Sequence, residues 1–113
     1  VDMTESINII LFDPVAFGKA IADETRQKIM KLCCCNRLTV SDITERMGVS
    51  QPTVSHHLAI LRDVDLVTIE REGRETFYSL NQEHFTICCG RLMATFAPEE
   101  HVTETVTKAL NCC

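Results

Sequence analysis

The stretch from Ser41 to Arg62 constrains the fold more than any other. Ile43 and Met47 stand four apart, Gly48 follows where a helix C-terminus favours a left-handed residue, and Ser50 with Pro52 opens a second helix. That second helix carries Val54, Leu58 and Leu61 at spacings of four and three, the stripe of a half-buried helix. Two short helices joined at Gly48-Val49-Ser50 make a helix-turn-helix, expected over about residues 41–62. Its first helix is expected to start at Ser41 as N-cap, with Glu45 one position late for a strict capping box. Asp63 and Asp65 end the second.

The pattern then changes period. Leu66–Arg71 and Thr76–Leu80 are short β-prone runs around Glu72-Gly73-Arg74-Glu75, which predicts a hairpin, or wing, over about residues 66–80. The flanks are helical. Asp13 and Pro14 suit a helix start ahead of Val15, Phe17, Ala20 and Ile21, and a second helix begins near Asp23 on Ile29, Met30, Leu32 and Cys33. After Gln82 the stripe Phe85, Cys88, Cys89, Leu92, Phe96 predicts a long helix that Pro98 breaks. A last helix is expected from Glu99 to Leu110 on Val102, Val106 and Leu110. The fold class is therefore mainly α with a small β-hairpin wing, a single winged helix-turn-helix domain over residues 1–113.

With 113 residues, 45% hydrophobic and 24% charged, the chain matches one ordinary folded domain and not a disordered one. There is no Trp and 5% aromatic residues, so the core must be aliphatic. The run Ile9–Phe12 is far too short to cross a bilayer, which needs about 20 residues. No charged segment followed by a cleavage site opens the chain, so no membrane partner and a cytoplasmic location are expected. Seven cysteines fall side by side as Cys33-Cys34-Cys35, Cys88-Cys89 and Cys112-Cys113. A disulfide scaffold spaces its cysteines out, so these read as free thiols. No Gly-rich phosphate loop or fixed nucleophile–base pair points to an enzyme.

In a helix-turn-helix the second helix offers its N-terminal side chains to the major groove. Here these are Ser50, Gln51, Thr53, Ser55 and His56, with Arg62 at its far end. Gln reads adenine edges, and Ser and Thr reach bases or phosphates. Arg71 and Arg74 of the wing are candidates for backbone phosphates or a minor groove. The net charge of −5 argues against nucleic acid, but residues 50–62 hold one Arg, two His and no acid. The local field is what meets the phosphates, so double-stranded DNA remains the expected partner, with modest non-specific affinity.

Lys19-Ala20-Ile21-Ala22-Asp23-Glu24-Thr25-Arg26 resembles the segment that opens the ArsR/SmtB family of repressors. Ser50-Gln51-Pro52-Thr53-Val54-Ser55-His56-His57-Leu58-Ala59-Ile60-Leu61-Arg62 resembles its recognition helix. Leu66-Val67, Arg71-Glu72-Gly73-Arg74 and Phe77-Tyr78-Ser79-Leu80 are similar to its wing. The resemblance covers about residues 15–96, and it implies that His57, beside Leu58, packs toward the core. It implies a homodimer whose first and last helices form the interface, the latter over about residues 82–110. It also implies an operator with half-sites about one helical turn apart, roughly 34 Å, and release by an inducer.

The resemblance also says where an inducer is held. One family site, a Cys-x-Cys, would fall at Thr39–Ile43, where there is no cysteine. A second, a zinc site patterned Asp-x-His and His-x-x-Glu, meets Gln82-x-His84 and His101-x-x-Glu104, with one carboxylate missing. The clusters Cys33, Cys34, Cys35 and Cys88, Cys89 are the remaining candidates, with Cys112 and Cys113 as a mobile tail pair. Soft thiolates select soft ions, and trivalent arsenic or antimony takes three sulfurs. The expected pocket joins Cys88, Cys89 and one of Cys33–Cys35 around As(III), Sb(III) or an organoarsenical; no resident cofactor is required. Two alternatives stand beside it: a thiol-redox or sulfide-sensing repressor of the same fold, and a cysteine-rich metal-buffering protein with no operator.

Overall fold

The structure, a computed structural model, describes residues 12–97 and 99–111. Helix α1 spans Pro14–Ile21 and α2 spans Glu24–Cys33. Asp13 starts α1 as expected, its carboxylate accepting from the Val15 and Ala16 amides at 3.0 Å each. Asp23 does the same for α2 through the Arg26 amide at 2.9 Å. The face expected on α1 is narrower than its sequence suggests: Phe17 and Ala20 are buried, while Val15 is 62% exposed.

Helix α3, Val40–Met47, begins earlier than the sequence suggests. Thr39, and not Ser41, is the N-cap. Its Oγ1 accepts from the Asp42 amide at 3.1 Å, and Asp42 Oδ2 accepts from the Thr39 amide at 3.0 Å. This reciprocal box satisfies two amides that a start at Ser41 would leave without partners. Gly48 closes α3 at φ 69°, and its amide donates to the Thr44 carbonyl at 2.9 Å. Helix α4, Gln51–Asp63, follows with Ser50 as N-cap.

Strands β1, Val67–Glu72, and β2, Glu75–Leu80, pair antiparallel from Val67 with Leu80 to Glu72 with Glu75. Only Gly73 and Arg74 lie in the loop; Gly73 takes φ 63° there, which a two-residue hairpin of this hand requires. Leu38, between α2 and α3, bridges Tyr78 by two backbone hydrogen bonds of 3.0 and 2.8 Å. The wing is therefore laced to the body of the protein. Helix α5, Gln82–Phe96, starts on Asn81, which accepts from the His84 amide at 3.1 Å, and α6 spans Glu99–Asn111. Pro98 lies outside the described residues, as do Cys112 and Cys113.

One hydrophobic cluster holds these elements. Phe17 and Ala20 of α1 meet Ile29, Met30 and Cys33 of α2, Ile43 of α3, Val54, Leu58 and Leu61 of α4, Leu66 and Val67, and Cys88 of α5. Helix α4 is central: α2, α3 and β1 all rest on it. Each buried Leu or Ile contributes roughly 1.5–3 kcal/mol, so Leu58 and Leu61 hold the recognition helix at a fixed depth. The stripe expected on α5 divides. Cys88 is buried, Phe85, Cys89 and Leu92 are half-buried, and Phe96 is 80% exposed. Leu110 of α6 is also exposed, at 73%. Among the described residues no helix is long and apolar enough to cross a membrane.

Candidate nucleic-acid interface and thiol cluster

The inward stripe Val54, Leu58, Leu61 turns the opposite face of α4 to solvent, where Gln51, Thr53, Ser55, His56 and Arg62 are all exposed. The first turn is preset. Ser50 Oγ accepts from the Thr53 amide at 3.3 Å and lies 2.7 Å from Thr53 Oγ1. These two hydroxyls occupy each other, whereas Gln51, Ser55 and His56 make no side-chain hydrogen bond within the described structure. The Arg62 guanidinium donates to Asp63 at 3.2 Å, which offsets its charge.

Arg71 and Arg74 of the wing are exposed and form no ion pair among the described residues. The acidic neighbours of Arg71 are engaged elsewhere, whereas Glu75 beside Arg74 is exposed and forms no ion pair among the described residues. Glu70 and Glu72 share a strand face, two residues apart, and Arg37 pairs with both while its guanidinium stacks 4.2 Å from the Phe77 ring centroid. These contacts raise the Arg37 pKa further, the Glu72 hydrogen bond first. The result is a wing in which Arg37 masks Glu70 and Glu72, while Arg71 and Arg74 form no ion pair among the described residues and Glu75 stays exposed at the tip. Arg37 had no signal in the sequence, because its partners lie more than thirty positions away.

His57 is half-buried, as expected, but it also has a partner. Its Nδ1 lies 3.1 Å from Arg26 Nη1. Arginine only donates, so Nδ1 accepts and His57 is neutral with its proton on Nε2. Burial, more than any neighbour, lowers its pKa; Arg26 and His56 add to this and Asp23 opposes it. Arg26 also donates Nε to the Ala20 carbonyl at 2.6 Å and Nη2 to the Lys19 carbonyl at 3.0 Å. One guanidinium thus ties the end of α1 and the start of α2 to the recognition helix.

The cysteines do not assemble as expected. Cys33 and Cys88 are buried in the apolar core, Cys34 and Cys89 are half-buried, and Cys35 is exposed. Among the described residues no three His, Cys, Asp or Glu groups converge as a metal site. A pocket of Cys88, Cys89 and one of Cys33–Cys35 is therefore not preformed within one chain. The reason is burial: Cys33 and Cys88 serve the core as small hydrophobes. Burial pushes the Cys33 thiol up to about 11, with Cys34 adding to it, and it raises Cys88 and Cys89 as well. Cys88 Sγ lies 3.5 Å from His84 Nε2 one turn earlier.

Cys34 and Cys35 behave differently. Past the end of α2 the chain leaves regular helix, and the two Sγ atoms come within 3.1 Å of each other. Neighbours on a regular helix diverge by about 100°; here the pair stands at and just past the C-cap of α2, where Cys34 itself keeps helical dihedrals of φ −64° and ψ −31°. The contact with Cys35, ahead of burial, raises the Cys34 pKa. The Cys34 carbonyl accepts a hydrogen bond from Gln82 Nε2 at the first residue of α5.

A model of bacterial regulatory proteins of the arsR family matches residues 23–68, from the N-cap of α2 into β1. The transcriptional repressor SdpR of Bacillus subtilis (strain 168) is 43% identical over 63 residues, covering 56% of this chain and 70% of that protein. The chain belongs to the ArsR family. As a member it is a DNA-binding transcriptional regulator and not an enzyme. The arsenical resistance operon repressor of Staphylococcus xylosus is 40% identical over 65 residues, 58% of this chain and 62% of that protein. An ArsR-like transcriptional regulator from Rhodococcus sp. RHA1 shares the fold at a TM-score of 0.70 and 23% identity, over 86% of this chain and 91% of that one. The winged helix-turn-helix expected from the sequence is thus the family fold, and the ArsR match covers the helix-turn-helix itself.

Proposed function

We propose that this ArsR-family regulator is a homodimeric repressor that binds a pseudo-palindromic operator and is released by a thiophilic trivalent metalloid, As(III) or Sb(III), free or as an organoarsenical. The observation that carries the DNA reading is the first two turns of α4, where Gln51, Ser55 and His56 are exposed above a buried stripe with no side-chain hydrogen bond among the described residues. Gln51 and Ser55 read base edges, Ser50, Thr53 and the helix N-terminus face phosphates, and Arg71, Arg74 and Arg62 add positive charge. The dimer reading rests on exposed apolar side chains on the terminal helices: Val15 on α1, Ile87 and Phe96 on α5, and Leu110 on α6. Such a set, left in water by a single chain, suits burial against a second copy.

The inducer reading rests on the 3.1 Å approach of Cys34 and Cys35. Two thiolates so close chelate one soft ion, and a third sulfur from the partner subunit or from the Cys112-Cys113 tail completes a trithiolate. A route to DNA starts at the same place. Cys34 joins α5 through Gln82, and the far end of α2 joins α4 through Arg26 and His57. Ligation that moves α2 therefore acts on both the dimer helix and the recognition helix. A 100-fold loss of DNA affinity needs about 2.8 kcal/mol of coupling, within the usual range. The names of the arsenical-resistance relatives support this inducer class.

The test is fluorescence anisotropy of the reduced protein on promoter DNA, titrated with arsenite. Release near one equivalent per chain is the expected result. Specific binding that arsenite leaves intact but polysulfide or peroxide abolishes would replace the metalloid with thiol oxidation. Absence of specific retention at low salt would remove the operator reading altogether and leave the metal-buffering alternative.

A further inference from the structure

Helices α2 and α3 both rest on α4 but pack less closely on each other. Between them lies a cleft of about 620 Å³, lined by Thr25, Lys28, Lys31, Leu32, Asn36, Arg46, Met47 and Val49. Two features set it apart from an ordinary seam. Its floor is apolar: Leu32, Met47 and Val49 are half-buried and continue into the core. Its rim is cationic: Lys28, Lys31 and Arg46 are exposed, and none of the described lining residues is acidic. Glu24 pairs with Lys28 at 3.2 Å, while Lys31 and Arg46 form no ion pair among the described residues. In a chain of net charge −5, the two unpaired cations Lys31 and Arg46 beside one apolar hollow form a local field opposite to the whole.

We propose that this cleft binds an anionic small molecule with an apolar body, of the class of medium-chain or aromatic carboxylates. The volume falls in the range of pockets that hold small organic ligands, about 300–1,000 Å³. The apolar body lies on Leu32, Met47 and Val49, and the carboxylate pairs with Lys31 and Arg46 at the rim. A DNA phosphate would use the same cations but has no need of the apolar floor. Val49 is the middle residue of the turn, one position before the Ser50 cap, so a bound ligand wedges between α2 and the base of the recognition helix. No cysteine is among its described lining residues, and the proposal does not depend on the metalloid reading.

The test uses the full-length reduced protein with decanoate and 2-naphthoate as probes, and decylammonium as a control of opposite charge. Binding is followed by calorimetry and by amide shifts in two-dimensional NMR. Saturable binding of the carboxylates is expected, with shifts centred on Thr25, Leu32, Met47 and Val49 and none from decylammonium. Lys31→Gln and Arg46→Gln, both exposed and so compatible with folding, are each expected to weaken binding about tenfold. Lys19→Gln, at an exposed cation outside the cleft, is expected to leave it unchanged. Shifts centred on α5 and α6, equal binding of decylammonium, or affinity indifferent to both rim variants would overturn the proposal. So would rim variants that weaken DNA retention while the carboxylates fail to bind, which would make the rim a phosphate contact only.

Discussion

Arg26 Nη1 lies 3.1 Å from His57 Nδ1, and this one contact joins the start of α2 to the middle of the recognition helix. The Arg26 side chain is only 13% exposed, and it also satisfies two carbonyls at the end of α1. Arg26→Ala leaves three acceptors without their donor. We expect a loss of about 2–4 kcal/mol in urea unfolding. Lys is not expected to rescue it, because a point charge cannot serve three acceptors held in a planar fan.

The same contact gives a pH dependence. Burial holds the His57 pKa below its ordinary value in the folded protein. As pH falls, the unfolded chain takes up this proton first, so stability declines as pH drops from about 6.5 toward the lower folded value. Above that window both states are neutral and the effect is absent. Urea midpoints measured from pH 8 to pH 5 should show this decline, and His57→Gln should flatten it. An unchanged slope in the variant would assign the decline to other groups.

DNA contacts should separate into two kinds. Gln51→Ala and Ser55→Ala are each expected to cost roughly 1–3 kcal/mol on the operator and little on random DNA. Arg71→Ala and Arg74→Ala are expected to weaken both alike and to lower the slope of log K against log salt by about 0.9 for each phosphate no longer neutralised. Arg37→Ala acts indirectly. It unmasks Glu70 and Glu72 beside the wing and should weaken all DNA binding without touching a base.

The five described cysteines should likewise divide. Cys34→Ser and Cys35→Ser are expected to abolish release by arsenite while leaving DNA affinity and stability near wild type, since both lie at the outer end of α2. Cys33→Ser and Cys88→Ser place a hydroxyl in the core and should destabilise by about 1–3 kcal/mol. If arsenite response survives in the Cys34 and Cys35 variants and fails in Cys88→Ser, the inducer is held on α5 instead.

Thr44 offers a gain. Its Oγ1 is buried with no hydrogen-bond partner among the described residues, in the middle of α3. Thr44→Val keeps the shape and removes the unpaired hydroxyl. A rise of about 1 kcal/mol in stability is expected, read as a higher thermal midpoint. A fall would mean that the hydroxyl has a water partner.

Much of this protein is local, and local features are legible in a sequence. Asp13, Asp23, Ser50 and Gly48 start or stop helices through their own backbone neighbours, so their roles follow from position alone. The Val54, Leu58, Leu61 stripe decides which face of α4 meets solvent, and hence which residues are candidates for DNA. Even there, Thr39 took the cap expected of Ser41, although Thr39 and Asp42 already stand at the capping-box spacing in the sequence.

Contacts between distant residues were decided only by the tertiary structure. Arg26 with His57, Arg37 with Glu70, Glu72 and Phe77, Leu38 with Tyr78, and the cleft between α2 and α3 all join segments that no periodicity links. The cysteines show the division most clearly. Sequence alone established that the thiols are clustered and that soft chemistry suits them. Folding buried Cys33 and Cys88 as core hydrophobes and ended α2 at Cys33, so that Cys34 and Cys35 meet at its C-cap. Residue type sets the affinity of a side chain, but burial and backbone path decide whether its sulfur is available and what stands beside it.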